Sequence, residues 1–257
     1  MSVKLKIMSF NMRCDYANDG NNNFENRKQR IVSFLEKENA DVIGFQEITP
    51  SMQDWLVSTL TDYYTVGIGR SANYGDETEL IAFKKRDFAL KSCDTVMLSS
   101  TPAQFGTHYD GSDQSPCSRE YVRACLKHRN VAQPFYVYNV HTDHIGQISR
   151  ILAASQLLQD ITSHNQKFFM TGDFNAEPTA PEITMITACK ARKIVDATAS
   201  LSGTYHSYGN QHPPQKIDYI FTDADTNILS AMRTHDEPEE NKPYLSDHNP
   251  ICIVVEL

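Results

Sequence analysis

The chain is expected to fold as an α/β protein, with mixed sheets and helices packed outside them. Three observations predict this. Apolar runs of strand length recur from end to end, some in hairpin-like succession and others separated by segments of helical period. The 257 residues, 40% of them apolar, suffice for one large α/β domain with a substantial core. No repeat, low-complexity tract or Pro-, Gly- or Ser-rich linker divides the chain, so a single domain over residues 1–257 is the simplest organisation.

The opening MSVKLKIMSFNMR alternates as a strand does and lacks the apolar run of a secretory signal. A polar, Asn-rich loop leads into RKQRIVSFLEKENA, where Ile31, Phe34 and Leu35 share one helical face and Asn26 is the candidate cap. DVIGFQEI reads as a buried strand. In TPSMQDWLVSTL, Thr49 is the expected N-cap, Pro50 the first helical residue, and Met52, Trp55 and Leu56 the buried stripe. TELIAFKK, FALKSCDTVML, EYVRACLKH and FYVYNVHTDH follow as strands, with a polar loop from Ser99 to Ser118 of a length that is usually functional or mobile. SRILAASQLLQDI predicts an amphipathic helix buried through Ile151, Leu152, Ser155, Leu158 and Ile161, feeding the strand KFFMTGDFN. APEITMITACK predicts another helix, and KIDYIFT and NPICIVVEL the last strands.

Composition narrows the function. A formal charge of −8 disfavours stable binding of duplex DNA through a broad basic face, because neutralising phosphates takes clustered Lys and Arg. Cys14, Cys93, Cys117, Cys125, Cys189 and Cys252 show neither CxxC pairs nor zinc-like spacing, so reduced thiols are expected. No apolar run reaches 18 residues, and a cytoplasmic protein without a transmembrane segment is expected.

The chemistry collects at strand ends. IMSFN finishes on Asn11 and VIGFQE on Glu47; YVYNVHTDH finishes on His141, Asp143 and His144. FFMTGDFN finishes on Asp173 and Asn175, KIDYIF carries Asp218, and SDH before the last strand supplies Asp247 and His248. Asp and Asn are ordinary turn residues, so each tip alone has a dull explanation. Six apolar strands with such tips ask instead to meet at one rim of the sheets, where ligand sites form. Carboxylate and amide oxygens dominate the set and no thiol sits at a tip, which matches a hard ion, Mg²⁺ or Mn²⁺, rather than zinc. Acids around such an ion, with histidines nearby, suit hydrolysis of a phosphoester, with His248 as base and Asp218 its natural orienting partner.

The motifs SFN, FQE, NVHTDH, GDFN, IDYIF and SDHNPI, in this order across nearly the whole chain, resemble the endonuclease/exonuclease/phosphatase superfamily. The resemblance implies a four-layered α/β sandwich, as in deoxyribonuclease I: two central mixed, mostly antiparallel sheets flanked by helices, with the site at the loop-bearing edge. It implies Glu47 as principal Mg²⁺ (or Mn²⁺) ligand, with Asn11 beside it and Asp247 near the ion. It further implies His248 and Asp218 as the base dyad, Asp173 and Asn175 as the groups positioning water and phosphate, and His141 as the group that stabilises charge or protonates the leaving group. The stretch NMRCDY departs from the apurinic-endonuclease pattern, and GIGRSANYGDETELIAF, YNVHTDH and GDFNAEP look closer to bacterial relatives of uncharacterised specificity. A partner for His141 is expected in GDETE, with Glu77 fitting best by spacing and Asp76 and Glu79 competing. Arg70 and Arg119 are candidate phosphate clamps, or surface arginines, and His206 a candidate pocket residue.

Three functions remain open from the sequence. They are a metal-dependent phosphoesterase acting on a phosphodiester or small phosphorylated compound, a nuclease on single-stranded DNA or RNA ends, and a binding module that keeps the fold without catalysis. The complete acid and histidine set argues against the last.

Overall fold

The computed structural model describes residues 2–236 and 242–257. Its strands are β1 (Lys4–Asn11), β2 (Val42–Ile48), β3 (Tyr63–Val66), β4 (Thr78–Lys84), β5 (Phe88–Met97), β6 (Glu120–His128), β7 (Phe135–His141), β8 (Phe168–Asp173), β9 (Ile194–Asp196), β10 (Asp218–Asp223), β11 (Asn227–Arg233) and β12 (Ile251–Glu256). The helices are α1 (Phe24–Glu38), α2 (Pro50–Thr59), α3 (Gln147–Thr162) and α4 (Pro181–Thr187). Two six-stranded sheets form, in the orders β11-β12-β1-β2-β4-β3 and β5-β6-β7-β8-β10-β9. Each has one parallel pair, β1 with β2 across α1 and β7 with β8 across α3, and its other pairs are antiparallel. This is the mixed, mostly antiparallel arrangement expected, with helices outside.

The two-residue period of each strand sorts its side chains between layers. Leu5, Ile7, Val42, Ile81, Phe83, Val137, Phe169, Ile220 and Ile253 fill the space between the sheets. Met8, Phe10, Ile43 and Phe45 pack on the other face beneath Ile31, Phe34, Met52 and Leu56 of α1 and α2. Tyr138, Met170, Tyr219 and Phe221 pack beneath α3 and α4.

Toward one end the between-sheet rows turn polar. Leu5 and Ile7 continue into Ser9 and Asn11, Phe135 and Val137 into Asn139 and His141, and Phe169 into Thr171 and Asp173. Ile81 gives way to Glu79, Val122 to Glu120 and Ile220 to Asp218. A buried polar staple crosses between the sheets at the change. Gln46 Nε2 donates to Asn139 Oδ1 (2.6 Å), Thr171 Oγ1 donates to the same oxygen (3.0 Å), and Asn139 Nδ2 donates to the carbonyls of Phe45 (2.7 Å) and Leu80 (3.1 Å). Gly44 makes room for it, since a Cβ there would lie 2.1 Å from Thr171 Oγ1.

Two local expectations are corrected. The cap of α1 is Asn23, whose side chain accepts from the Asn26 amide, so the helix starts before the predicted position. Helix α2 starts as expected, Thr49 capping and Pro50 first. Helix α3 buries Ser149, Ala153, Ala154, Leu157 and Ile161, a face rotated from the predicted stripe, because small side chains let it sit close on its sheet while Leu152 stays 37% exposed. Among the described residues no helix is long and apolar enough to cross a membrane.

Candidate active site

The polar ends of the rows open into a cleft of about 700 Å³ between the two sheets. Glu47, Asp173, Asn175, His141, Asp247 and His248 all line it, and Asp218 stands behind His248. Glu47 reaches the cleft because strand β2 breaks register between Phe45 and Ile48 and Glu47 takes the left-handed conformation, φ 62°. Asn175 (φ 46°) and Arg13 (φ 54°) turn at the same rim. Strained backbone at a side chain aimed into a cleft is the pattern of a functional position.

A continuous chain of contacts joins the predicted residues. Asn11 Nδ2 donates to Glu47 Oε1 and to Asp173 Oδ2, each at 3.0 Å. Asp173 Oδ2 lies 3.5 Å from His248 Nε2, and His248 Nδ1 is 2.9 Å from Asp218 Oδ2. His141 Nε2 lies 3.6 Å from the same Asp173 oxygen and 3.0 Å from Asn175 Nδ2. Asp247 stands 3.8 Å from Arg13 Nε.

The placement refines several expectations. Asn11 Oδ1 accepts from the Arg13 amide (2.9 Å), and its NH₂ group holds the Glu47 and Asp173 carboxylates together. Glu77 is not the partner of His141. It binds Arg70 (3.0 Å) and Tyr16, whereas Glu79 Oε1 stands 4.0 Å from His141 Nδ1. Glu79 lies inside β4 on the inward row of Ile81 and Phe83, whereas Glu77 precedes the strand, which begins at Thr78. Asp143 is structural, accepting the amides of Ser115, Ile145 and Gly146, while His144 faces the cleft beside Arg119 (2.9 Å). Arg70 and Arg119 both line the cleft as buried side chains. His206 does not line it; it packs against Tyr244, and its neighbour Tyr205 lines the cleft instead, 4.9 Å ring to ring from His248. Arg13, Cys14 and Tyr205 are site residues that the motif reading passed over. The first two stand two and three positions after Asn11, which is the signal that was available.

Burial sets the electrostatics. Burial opposes charge on Glu47, yet the hydrogen bonds from Asn11 and the Cys14 amide, with Arg13 and His248 nearby, hold its carboxyl below the ordinary value. Burial pushes Asp173 up to about 7, against the pull of His248. On His248 burial is outweighed by Asp218 and Asp173, which raise it well above the ordinary imidazole value. On His141 burial and the cations Arg119 and Arg70 act together and hold it well below.

The donor set tests whether a metal fits. Glu47 and Asp247 offer hard carboxylate oxygens into the cleft, and Cys14, Glu47 and Glu77 bring ligand atoms within 4.8 Å of one another, as do Asp173, Asp218 and His248. Two carboxylates with open space suit Mg²⁺ or Mn²⁺, which keep positions for water and substrate. The carboxylates that line the cleft are groups that could hold a divalent cation.

The family model described as "Endonuclease/Exonuclease/phosphatase family" matches residues 8–248. An endonuclease/exonuclease/phosphatase structure from Bacteroides vulgatus superposes with a TM-score of 0.92 at 26% identity, covering 99% of each chain. A mannosyl-6-phosphatase from Bacteroides thetaiotaomicron superposes at 0.86 with 21% identity, over 97% of this chain and 98% of that one. An uncharacterised protein of Acanthamoeba polyphaga mimivirus is 22% identical over 248 residues, 91% of this chain and 92% of the relative.

Proposed function

Because the chain belongs to the endonuclease/exonuclease/phosphatase family, we propose that it is a Mg²⁺- or Mn²⁺-dependent phosphoesterase that hydrolyses the P–O bond of a phosphodiester or small phosphorylated compound. The observation that carries this reading is the single cleft shared by Glu47 and His248, bridged through Asn11 and Asp173.

Glu47 and Asp247 would hold the cation, which when bound supplies Lewis-acid polarisation of a phosphoryl oxygen. The protein groups do the rest. Asp218 accepts from His248 Nδ1 and so turns Nε2 toward the cleft, where the neutral imidazole takes the proton of an attacking water. Asp173, whose Oδ2 lies 3.5 Å from Nε2, and Asn175, which lines the same cleft, orient the water. The water oxygen bonds to phosphorus, the bond to the leaving oxygen breaks with its electron pair, and that oxygen takes a proton from solvent water. A bounded cleft and a net charge of −8 favour a compact substrate over long duplex DNA. The phosphatase named among the structural neighbours acts by its title on a sugar phosphate, which supports the same size class.

The test is a substrate panel with Mg²⁺, Mn²⁺ or chelator: bis-p-nitrophenyl phosphate, p-nitrophenyl phosphate, sugar phosphates, single-stranded and duplex DNA, RNA, sphingomyelin and phosphoinositides. Metal-dependent turnover of a small ester, lowered at least ~100-fold in His248→Ala, is expected. Preference for single-stranded ends would favour the nuclease reading, and turnover unchanged in His248→Ala would reject this site.

A further inference from the structure

We infer that His141 serves the reaction as a positioning residue through the lone pair on Nε2, and that Asn175 therefore presents its carbonyl oxygen, an acceptor, to the attacking water. This rests on the phosphoesterase reading of the same cleft, and it removes His141 as a proton donor to the leaving group.

Neighbouring groups fix the orientation of the Asn175 amide. Its Nδ2 lies 3.1 Å from the Thr142 carbonyl oxygen and 3.0 Å from His141 Nε2. Turning the amide over would set two oxygens against each other at Thr142, so that carbonyl fixes which end is nitrogen. An amide nitrogen only donates, so His141 Nε2 must be the acceptor. A neutral imidazole with its lone pair on Nε2 carries its proton on Nδ1. That nitrogen faces Glu79 Oε1 at 4.0 Å, and neither atom has a hydrogen-bond partner among the described residues. The neighbouring cations Arg119 and Arg70 oppose a second proton. Asp173 Oδ2, the anionic atom nearest Nε2, is 3.6 Å away and takes its hydrogen bond from Asn11.

Both N–H bonds of Asn175 are thereby used. Its backbone amide is tied to Asp173 Oδ1 (2.9 Å), and the side chain lines the cleft with Oδ1 as its remaining polar atom. An amide oxygen accepts from a water O–H and repels a phosphoryl oxygen. Asn175 thus discriminates nucleophile from substrate oxygen, and His141 holds it in that orientation.

Two measurements test this. The first compares wild type, His141→Gln and His141→Ala on a p-nitrophenyl ester and an alkyl ester of the same phosphate. A positioning role predicts that each variant loses the same factor of kcat/KM on both esters, about 100-fold in His141→Ala, with His141→Gln recovering part through its amide oxygen. A loss at least ~100-fold larger on the alkyl ester would make His141 the general acid and overturn the inference. The second measurement is the two-bond ¹H–¹⁵N spectrum of histidine-labelled wild-type protein, assigned with His141→Gln. A neutral Nδ1–H tautomer at neutral pH supports the inference; an Nε2–H tautomer or an imidazolium overturns it. Should wild type turn over neither ester nor any other phosphoester, the phosphoesterase reading fails while the tautomer result still stands.

Discussion

At Glu47 a single backbone angle links fold to chemistry. The side chain leaves the sheet because the residue adopts φ 62°, a conformation that costs a non-glycine residue about 1–2 kcal/mol. A direct consequence is that Glu47→Gly will be more stable than Glu47→Ala by about 1 kcal/mol in chemical denaturation, the reverse of the order in a regular strand, where glycine is the weaker residue. Equal or reversed stabilities would show that the bulge relaxes once the carboxylate is gone. The position of Glu47 at a strand tip was legible in FQE, since a carboxylate ending an apolar run has few structural uses. Its left-handed backbone was not, because nothing in the local sequence asks for it. The partner of His141 illustrates the same limit. Glu77 and Glu79 are two positions apart and would share a face in a continuous strand, so only the start of β4 at Thr78 decides that Glu79 is the one beside His141.

At the level of elements, two buried polar side chains brace the cleft. Asn139 on β7 serves the Phe45 and Leu80 carbonyls on the opposite sheet, beside the bulge that carries Glu47. Asn139→Ala removes the hydrogen bonds to both carbonyls and those accepted from Gln46 and Thr171, so a loss of about 3 kcal/mol or more is expected in urea unfolding. A loss under about 1 kcal/mol would mean that water replaces the staple. Arg27 on α1 is wholly buried and gives its N–H groups to the carbonyls of Asn22 (2.7 Å), Met12 (2.7 Å), Leu245 (2.8 Å) and Arg13 (2.8 Å). It thereby ties the loop after β1 to the segment leading to Asp247. Arg27→Lys keeps the charge but not the planar fork, and a melting experiment should show a loss of about 2 kcal/mol or more. An unchanged melting temperature would leave Arg27 without this role. Arg27 was discoverable, because it lies in phase with Ile31 and Phe34 on the helical face that faces the core. The short β9, the partly exposed β3 and the outer β11 escaped the sequence reading because edge strands lack the continuous apolar signal that marked their neighbours. The phase of α3 escaped it because alanine and serine, which it buries, carry little hydrophobic signal.

Across the whole molecule, the layer between the sheets runs from apolar side chains to a buried acidic end, and this has a consequence for stability. Burial pushes Glu120 from 4.5 up to about 8, against hydrogen bonds from the Glu79 amide (3.3 Å) and the Thr78 hydroxyl (3.0 Å). The folded protein therefore binds more protons than the unfolded chain between those two values. Its contribution is fully present below 4.5 and is lost as pH rises toward about 8, with a slope of up to about 1.4 kcal/mol per pH unit. Glu120→Gln, which keeps the acceptor oxygen, should flatten the fall in unfolding free energy over that range; an unaltered slope would place the titration elsewhere. The same layer explains why the site could be assembled from sequence at all, since six strands each change from apolar to polar at the same end and the residues at the change meet in one cleft. The central claim is that Glu47 and His248 act on one phosphorus centre with a hard divalent ion. Its most direct test is the rate of hydrolysis by Glu47→Gln beside wild type, on the best small ester, across a Mg²⁺ titration and in chelator. Wild-type turnover that rises with Mg²⁺ and vanishes in chelator, with a loss of at least about 100-fold in the variant, is predicted; turnover that survives chelation, or a variant as fast as wild type, would contradict it.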